Sequence, residues 1–305
     1  MVQHAAAINA LSQSKTEEWG FTEGDEIVPG RHALKLLGGG RLHEAYVAFD
    51  DRLYALVVAK ILRPRVVADP GALEGLAAEA RIVRSLNHPV VVRSFDAVLA
   101  GDRPHLVLEF LEGPRLSTLL RKYGPVALEQ LLPLGLELCS ALHYLSGHGV
   151  VHLDVKPRNV IMGGPPRLID FSIARVIDEA RRLTTPIGTD AYMAPEQCAP
   201  DRLGPVGPPA DVWGLGATMY EALTRSLPFP RPEGRTPQSA AARFPQMHDA
   251  PAPLPDDVPG VVSAVILSCL DPRPEDRPTA VEVAGALEPL VAMLPRPRLI
   301  RWKPR

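Results

Sequence analysis

The spacing of the hydrophobic positions changes near residue 112, which divides the chain into two parts. Before this point, apolar residues alternate with polar ones or form short runs bounded by turn residues, a pattern typical of β-strands. One segment in this part, residues 71–86, has helical spacing, and Asn87, His88 and Pro89 end it. The predicted strands are residues 31–37, 44–49, 53–62, 90–99 and 105–111.

After residue 115 the apolar positions recur at helical spacing. The longest segment, residues 126–149, predicts a buried helix closed by Gly147 and Gly149. We therefore expect an α+β protein with a small, mainly β N-terminal lobe that holds one key helix, and a larger, mainly α C-terminal lobe. The predicted division is a mobile lead-in over residues 1–28, the two lobes over 29–111 and 112–294, and a basic tail over 295–305.

Composition excludes several classes of function. The formal net charge of −2 gives no electrostatic basis for nucleic-acid binding, and no apolar run reaches the roughly 18 residues that a membrane span needs. The first residues lack the basic and apolar regions of a secretory signal. Cys139, Cys198 and Cys269 lie far apart without metal-ligand spacing, which favours buried thiols in a reducing compartment. We expect a cytoplasmic protein.

Residues 150–162, VVHLDVKPRNVIM, place polar side chains between two apolar runs. Buried polar groups are costly unless each is paired or used, so this segment is a candidate site. Three other features have a chemical and an ordinary structural explanation. The glycines at 38–40 either approach phosphate oxygens or form a hairpin turn. Lys60 either pairs with Glu79 or extends to water, and Asp170 either binds a metal or ends a strand.

In chain order these features are a glycine loop, a strand lysine, a helix glutamate, the sequence HLDVKPRN, an Asp-Phe pair and an Ala-Pro-Glu triplet. This order and spacing resemble the eukaryotic-like, bacterial-type serine/threonine protein kinase family over residues 30 to 290. Lys156 in DVKPRN is similar to the serine/threonine branch rather than the tyrosine branch. The resemblance implies the two-lobed protein kinase fold and an ATP-dependent phosphotransferase of signal transduction.

The resemblance implies how the hydroxyl of a protein substrate would be handled. Asp154 would orient the hydroxyl and accept its proton, while Lys156 would neutralise charge on the transferred phosphoryl group. Thr189, in GTDAYMAPE, belongs to the segment that would position the substrate residue. Thr184 and Thr185 are the candidate autophosphorylation sites, and we expect their phosphorylation to modulate activity without being required for it.

The resemblance also implies how ATP and its metal would be bound. Lys60, held by Glu79, would bind the α- and β-phosphates. Asp170 would bind the bridging Mg²⁺ and Asn159 a second Mg²⁺, with Mn²⁺ as a substitute. The remaining residues of the implied nucleotide site are Leu37, Gly38, Gly39, Gly40, Ala45, Val58, Leu108, Glu109, Leu111 and Ile161.

Three further residues match positions that separate protein kinases from small-molecule kinases with a related core. Glu196 would form a buried ion pair with Arg277, and Asp211 would brace the catalytic loop from below. These residues imply that the substrate is a protein that carries serine or threonine.

Several positions depart from the family pattern. His43 replaces the third loop glycine, either as an exposed tip residue or as a phosphate contact when protonated. Leu153 replaces the arginine that meets an activation-loop phosphate, and Ser172 replaces the glycine after Asp-Phe, where it restricts the backbone. Ala45 and Val58 exchange a valine and an alanine, which conserves the volume above the base.

Because none of these changes removes a charged catalytic group, the sequence favours an active kinase. The alternative is a nucleotide-binding pseudokinase that acts as a regulatory scaffold. We expect a monomer or weak dimer and a regulatory partner at the Pro-rich stretch 228–259. The tail PRPRLIRWKPR is either a solvated terminus, a contact for anionic lipid or the start of a membrane-anchored extension.

Overall fold

The computed structural model describes residues 18–230 and 243–294. Two compact units separate within it. The first comprises the chain up to Glu112 and the segment Ile169–Ala174, and the second comprises Gly113–Leu168 and the chain from Arg175 onward. The predicted linear division did not anticipate that residues 169–174 group with the first unit. Residues 1–17 of the predicted lead-in, 231–242 of the Pro-rich stretch and the predicted tail 295–305 lie outside the described residues.

The first unit is an antiparallel sheet of six strands with one long helix, and it contains all five predicted strands. The strand order across the sheet is β1-β2-β3-β4-β6-β5. The elements are β1 Glu26–Val28, β2 Arg31–Gly39, β3 His43–Asp50, β4 Ala55–Leu62, α1 Pro70–Ser85, β5 Ser94–Val98 and β6 His105–Glu109.

Residues 18–28 differ from the predicted lead-in. Ile27 in β1 is fully buried, and Trp19 and Phe21 pack against the core of the first unit. Phe21 makes an edge contact with Tyr46, with ring centroids 5.6 Å apart. The polar composition of this segment hid the few apolar residues that fix it to the sheet.

Alternation along β3 and β4 separates a core face from a second face. Tyr46 and Ala48 of β3 and Val57, Ala59 and Ile61 of β4 are buried in one apolar cluster. The intervening positions are available for other contacts, and they include those at which a nucleotide was predicted to bind.

Helix α1 begins at a capped terminus and presents a mixed face to the sheet. The Asp69 carboxylate accepts a hydrogen bond from the Ala72 backbone N–H at 2.7 Å, which satisfies one of the exposed donors of the first turn. Leu76, Ala80 and Val83 on this helix are buried, and so is Glu79. A glutamate on this face requires a cationic partner.

The second unit is mainly helical, with short strands in its loops. Strand β7 pairs with β10 and β8 pairs with β9, both antiparallel. The strands are β7 Val150–Val151, β8 Val160–Ile161, β9 Arg167–Leu168 and β10 Arg175–Val176. The helices are α2 Leu116–Tyr123, α3 Leu128–Gly147, α4 Ile177–Ala180, α5 Pro195–Cys198, α6 Pro200–Leu203, α7 Pro208–Thr224, α8 Gly260–Cys269 and α9 Ala280–Ala292. The α+β prediction is confirmed by these two units.

Helix α7 lies directly against the polar segment that follows β7. An ideal Cβ on Gly214 would be 2.9 Å from the Val155 backbone oxygen, so only glycine permits this approach. None of the described helices is both long and apolar enough to cross a membrane. The thiols of the three cysteines are buried, and none forms a disulfide.

Candidate active site

The first unit brings together Lys60, Glu79 and Asp170, which lie far apart in the sequence. Lys60 Nζ donates to both carboxylate oxygens of Glu79, at 2.7 and 2.8 Å, and to Asp170 Oδ1 at 3.0 Å. The Glu79 side chain is 1% exposed and that of Lys60 is 13% exposed, whereas that of Asp170 is 42% exposed. The predicted pair between the strand lysine and the helix glutamate is therefore present.

This arrangement keeps Lys60 charged. Burial alone would lower the pKa of its ammonium group, but the carboxylates of Glu79 and Asp170 raise the pKa above its ordinary value. Asp170 has a φ of 66°, a backbone conformation that is uncommon outside glycine and asparagine. Ser172, in contrast, does not have a positive φ, so serine is accommodated there in ordinary backbone geometry.

Two of the three glycines at the end of β2 are required by different features of the backbone. Gly38 has a φ of 125°, which other residues rarely adopt. An ideal Cβ on Gly39 would lie 2.3 Å from the His43 backbone oxygen, where β2 pairs closely with β3. Gly40 follows β2 in the turn that leads to β3. Without side chains, this loop can approach a phosphate closely.

His43 is not the exposed tip residue that one of the two sequence-based expectations describes. It begins β3 opposite Leu62, and its Nε2 atom is buried without a hydrogen-bond partner among the described residues. Burial, together with the charge of Lys60, lowers the pKa of the imidazole to about 4. The ring is therefore neutral at pH 7. Its partly buried place in β3 contradicts the exposed-tip interpretation, whereas the contact of a protonated His43 with a phosphate stays a prediction.

The predicted adenine-facing residues come from neighbouring strands of the sheet. Ala45 of β3 pairs with Lys60 of β4, and Val58 of β4 pairs with Leu108 of β6. The exchange of valine and alanine thus falls on two adjacent strands. Of the others, Leu37 lies on β2, Glu109 ends β6 and Leu111 follows it. Ile161 lies on β8 of the second unit.

The second unit gathers three predicted residues around the carboxylate of Asp154. Its Oδ2 accepts hydrogen bonds from Lys156 Nζ at 2.6 Å and Asn159 Nδ2 at 2.9 Å. Its Oδ1 accepts one from the Thr189 hydroxyl at 2.7 Å. Lys156 Nζ also contacts Thr189 Oγ1 at 2.5 Å. One carboxylate thus contacts an ammonium group, an amide and a hydroxyl group at once.

The backbone before Asp154 is held in an unusual conformation. Leu153 has a φ of 65° and is buried. The Asp211 carboxylate accepts hydrogen bonds from the backbone N–H groups of His152 and Leu153, both at 2.7 Å. Burial raises the pKa of Asp211, while these two donors favour its charged form. The predicted brace of the catalytic loop by Asp211 is confirmed.

Gln197 is a residue that the sequence analysis missed. Its side-chain nitrogen donates to the backbone oxygens of Leu153 and Ile187, each at 2.9 Å, and its side-chain oxygen accepts from the Ala194 N–H at 3.1 Å. It is 1% exposed. Gln197 therefore fixes the backbone before Asp154 to the segment before Thr189. Its partners are backbone groups, and no pattern of side chains in the sequence indicates them.

The segment that follows Asp170 has both exposed and buried anchor points. Thr184 and Thr185 are exposed. Glu196 and Arg277 form a bidentate pair at 2.7 and 2.8 Å, with side chains that are 1% and 0% exposed. The predicted buried ion pair is confirmed, and it fixes the C-terminal end of this segment to the helical unit.

Each unit, taken by itself, offers an oxygen donor that fits a divalent cation bound together with a phosphate ligand. Among the residues that the structure describes, no three His, Cys, Asp or Glu side chains cluster as a metal site. Mg²⁺ is commonly held by one or two carboxylates together with substrate phosphates. Asp170 offers a partly exposed carboxylate. The side-chain amide nitrogen of Asn159 donates hydrogen bonds to Asp154, so the amide oxygen of Asn159 can bind a cation.

Known proteins with similar sequences include bacterial serine/threonine-protein kinases. Three similar proteins are the serine/threonine-protein kinase PknB of Mycobacterium leprae (32% identical over 265 residues, 83% of this chain and 41% of that protein), PknB of Mycobacterium tuberculosis (32% over 267 residues, 83% and 41%) and the serine/threonine-protein kinase pkn2 of Myxococcus xanthus (32% over 275 residues, 86% and 32%). The chain thus spans less than half the length of these relatives.

A family model described as the protein kinase domain matches residues 31–286, which include both groups of polar residues described above. The sheet unit and the helical unit are the two lobes of that fold. The chain belongs to the protein kinase family, in its bacterial serine/threonine branch.

Proposed function

We propose that this chain is an ATP-dependent protein kinase that transfers the γ-phosphate of ATP to serine and threonine hydroxyls of proteins. The observation that carries the proposal is the contact of the Asp154 carboxylate with a hydroxyl group, that of Thr189, at 2.7 Å. General-base chemistry on an alcohol requires a carboxylate within this distance of the hydroxyl. Lys156, 2.6 Å from the same carboxylate, places a positive charge beside it.

The roles of the residues follow from their contacts. Asp154 accepts the proton of the substrate hydroxyl, and Lys156 stabilises the negative charge of the transferred group. Asn159 holds the Asp154 carboxylate through its Nδ2, and Thr189 positions the substrate residue. Because phosphoryl transfer relies on positioning and charge stabilisation, fixing one carboxylate by three partners is a direct contribution to rate.

Residues of the first unit bind the nucleotide in this proposal. Lys60, which Glu79 and Asp170 keep protonated, binds the phosphates, and the glycines at 38–40 contact them through backbone N–H groups. Asp170 of the first unit would hold one Mg²⁺ or Mn²⁺, and Asn159 of the second unit would hold another. When bound, the cation neutralises negative charge on the phosphates.

The test is transfer of label from γ-labelled ATP, with Mg²⁺ or Mn²⁺, to the chain itself and to a generic basic protein. We expect Asp154→Asn to reduce transfer by about 10²- to 10⁴-fold, the usual contribution of a general base. The matched control is Asp201→Asn, which changes an exposed aspartate of the same lobe. Equal labelling by wild type and Asp154→Asn would refute the assignment of Asp154.

The pseudokinase alternative rested on the departures at 43, 153 and 172, and the geometry does not favour it. Lys60 keeps its contact with Glu79, and Asp154 keeps its contacts with Lys156 and Asn159. Protein substrates with serine or threonine, a cytoplasmic location and a monomer or weak dimer remain parts of the proposal. The buried thiols support a reducing compartment.

A further inference from the structure

The turn after the glycines is held by the segment that follows β4. The Arg63 Nε donates to the backbone oxygen of Gly40 at 2.9 Å, and the Arg63 backbone N–H donates to that of Leu42 at 2.8 Å. Arg65 Nη2 donates to the backbone oxygen of Arg41, also at 2.9 Å. Each of the three carbonyl groups of this turn therefore accepts a hydrogen bond from one short segment.

Arg63 is also bound to a buried carboxylate. Its Nη1 lies 3.1 Å from Glu44 Oε1, and Glu44 is 1% exposed. Glu44 accepts two further hydrogen bonds, from the Tyr46 hydroxyl at 2.6 Å and from the Trp19 backbone N–H at 3.2 Å. A carboxylate buried to this extent is costly unless it is fully paired, so Arg63, Glu44 and Trp19 depend on one another.

Trp19 fixes the N-terminal segment to the same place. Its indole Nε1 donates to the Leu62 backbone oxygen at 2.8 Å, one residue before Arg63. Its ring stacks on Phe21 with a centroid separation of 5.8 Å, and the Arg103 guanidinium lies 5.2 Å from the Trp19 ring centroid. The segment Glu18–Phe21 is thus connected to the glycine turn through Glu44 and Arg63.

We propose that Arg63 is a positioning residue for nucleotide binding, and that docking of Glu18–Phe21 sets the affinity for ATP through Glu44 and Arg63. The inference rests on the proposed function, because it assumes that the glycine loop binds phosphates. A flexible loop must be ordered when its ligand binds, and this ordering costs affinity. Hydrogen bonds to all three carbonyl groups of the turn order it beforehand. Displacement of Trp19 removes a partner of Glu44 and so loosens Arg63.

The experiment measures the Kd of the full chain for a fluorescent ATP analogue with Mg²⁺, together with kcat and both KM values of phosphate transfer. Arg63→Met keeps the apolar stem and removes every side-chain donor. We expect its nucleotide Kd to rise about tenfold, as for loss of a charge-assisted hydrogen bond. Arg63→Lys keeps the charge beside Glu44, so we expect it to recover part of the loss.

Trp19→Phe tests the connection to the N-terminal segment. The variant keeps a stacking ring but loses the bond to Leu62, and we expect a rise of about threefold in nucleotide Kd. The KM for the protein substrate should change by less than about twofold. The control is Arg84→Met, an exposed arginine on α1, which should leave every value unchanged.

The outcomes separate this inference from the proposed function. A lower melting temperature of Arg63→Met with an unchanged Kd would indicate a merely structural role and overturn the inference alone. An unchanged Kd of Trp19→Phe would overturn the connection to the N-terminal segment. Nucleotide binding without phosphate transfer would refute the kinase activity and leave the inference intact, whereas absence of nucleotide binding by the wild type would overturn both.

Discussion

Two adjacent glycines of the loop differ in the space around them. An ideal Cβ on Gly39 would lie 2.3 Å from the His43 backbone oxygen, whereas no heavy atom lies within 4 Å of one on Gly40. We expect Gly39→Ala to displace the paired ends of β2 and β3 and to raise the nucleotide Kd about tenfold, because overpacking costs roughly 1–3 kcal/mol. Gly40→Ala should change the Kd by less than about threefold. Titration with a fluorescent ATP analogue compares the two, and equal values would contradict the steric argument.

At single positions, the sequence revealed groups that belong to a known order of charged residues, and it missed groups outside that order. Lys60, Glu79 and Asp154 were predicted because charged residues in apolar surroundings require partners and follow a known order. Gln197 and Arg63 were missed because neither belongs to that order. Gln197 bonds to backbone oxygens, which every residue carries, and Arg63 bonds to the Gly40 oxygen and to Glu44 only in the folded sheet. The position of His43 was also wrong, because its burial depends on the start of β3 rather than on the local composition.

The catalytic loop and the segment before Thr189 are two elements joined by one amide. Gln197→Glu keeps the shape of the side chain and its acceptor oxygen, but it removes the donor to Leu153 and Ile187. We expect kcat to fall about tenfold or more, since small displacements of catalytic groups have large effects. Steady-state kinetics with a protein substrate measures the change. Gln130→Glu, at an exposed position of α3, is the matched control.

The same attachment explains how the segment can be ordered without a phosphate. Leu153 offers no charge to a phosphothreonine, yet its backbone oxygen is bound by Gln197. The double variant Thr184→Ala, Thr185→Ala should therefore keep activity towards an exogenous substrate within about fivefold of the wild type. A double variant without activity, or Gln197→Glu with normal kcat, would contradict this account.

An ionic network around the buried Arg31 holds strands that are distant in the sheet order. Arg31 of β2 contacts Asp50 of β3 and Asp96 of β5, each at 2.7 Å, and lies 3.3 Å from His105 Nε2 of β6. Because β2 and β5 lie near opposite edges of the sheet order, the Arg31–Asp96 contact shows that the sheet curls. This network was not predicted, since its members come from four strands and only the folded sheet brings them together.

The network predicts a pH-dependent cost for Arg31→Met. Burial alone would raise the pKa values of Asp50 and Asp96, but hydrogen bonds, including those from Arg31, lower both. The pKa of His105 is lowered by burial and, to a smaller extent, by the charge of Arg31. A lowered carboxyl pKa stabilises the folded state above the unfolded pKa, and this contribution is lost as the pH falls through the folded pKa. Because the pKa of His105 is lowered in the folded wild type, the folded state loses stability as the pH falls below 6.5, the ordinary pKa of histidine. Loss of Arg31 relieves the part of that effect that comes from its charge, so both contributions have the same sign.

We expect Arg31→Met to lower the free energy of unfolding by about 3 kcal/mol near pH 7, the scale for a broken buried pair, and by less as the pH falls from 6 to 3. Urea unfolding in steps of pH measures this change. Arg181→Met removes an exposed contact with Asp178 and should cost less than about 1 kcal/mol at any pH. A cost for Arg31→Met that does not vary with pH would contradict the assignment.

At the scale of the whole molecule, the chain divides into a sheet unit and a helical unit. The periodicity predicted the sheet and the helices, because alternation and helical spacing are local properties of the chain. It did not predict that residues 169–174 group with the first lobe, because that grouping depends on long-range contacts of Asp170 and its neighbours. The predicted family is nevertheless correct, because it depends on the order of charged residues and not on element or unit boundaries.

A ligand that binds only the folded protein raises its unfolding free energy, by about 2.7 kcal/mol at a concentration of 100 times Kd. ATP should therefore raise the melting temperature of the chain, and Mg²⁺ should add a second increment. We expect Asp170→Asn to lose the Mg²⁺ increment and keep the one from ATP alone, because Lys60 retains Glu79. Asp201→Asn, an exposed control, should keep both. If Asp170→Asn kept the full Mg²⁺ increment in a thermal unfolding scan, the metal would be held by other groups, and Asp170 would serve only as a partner of Lys60.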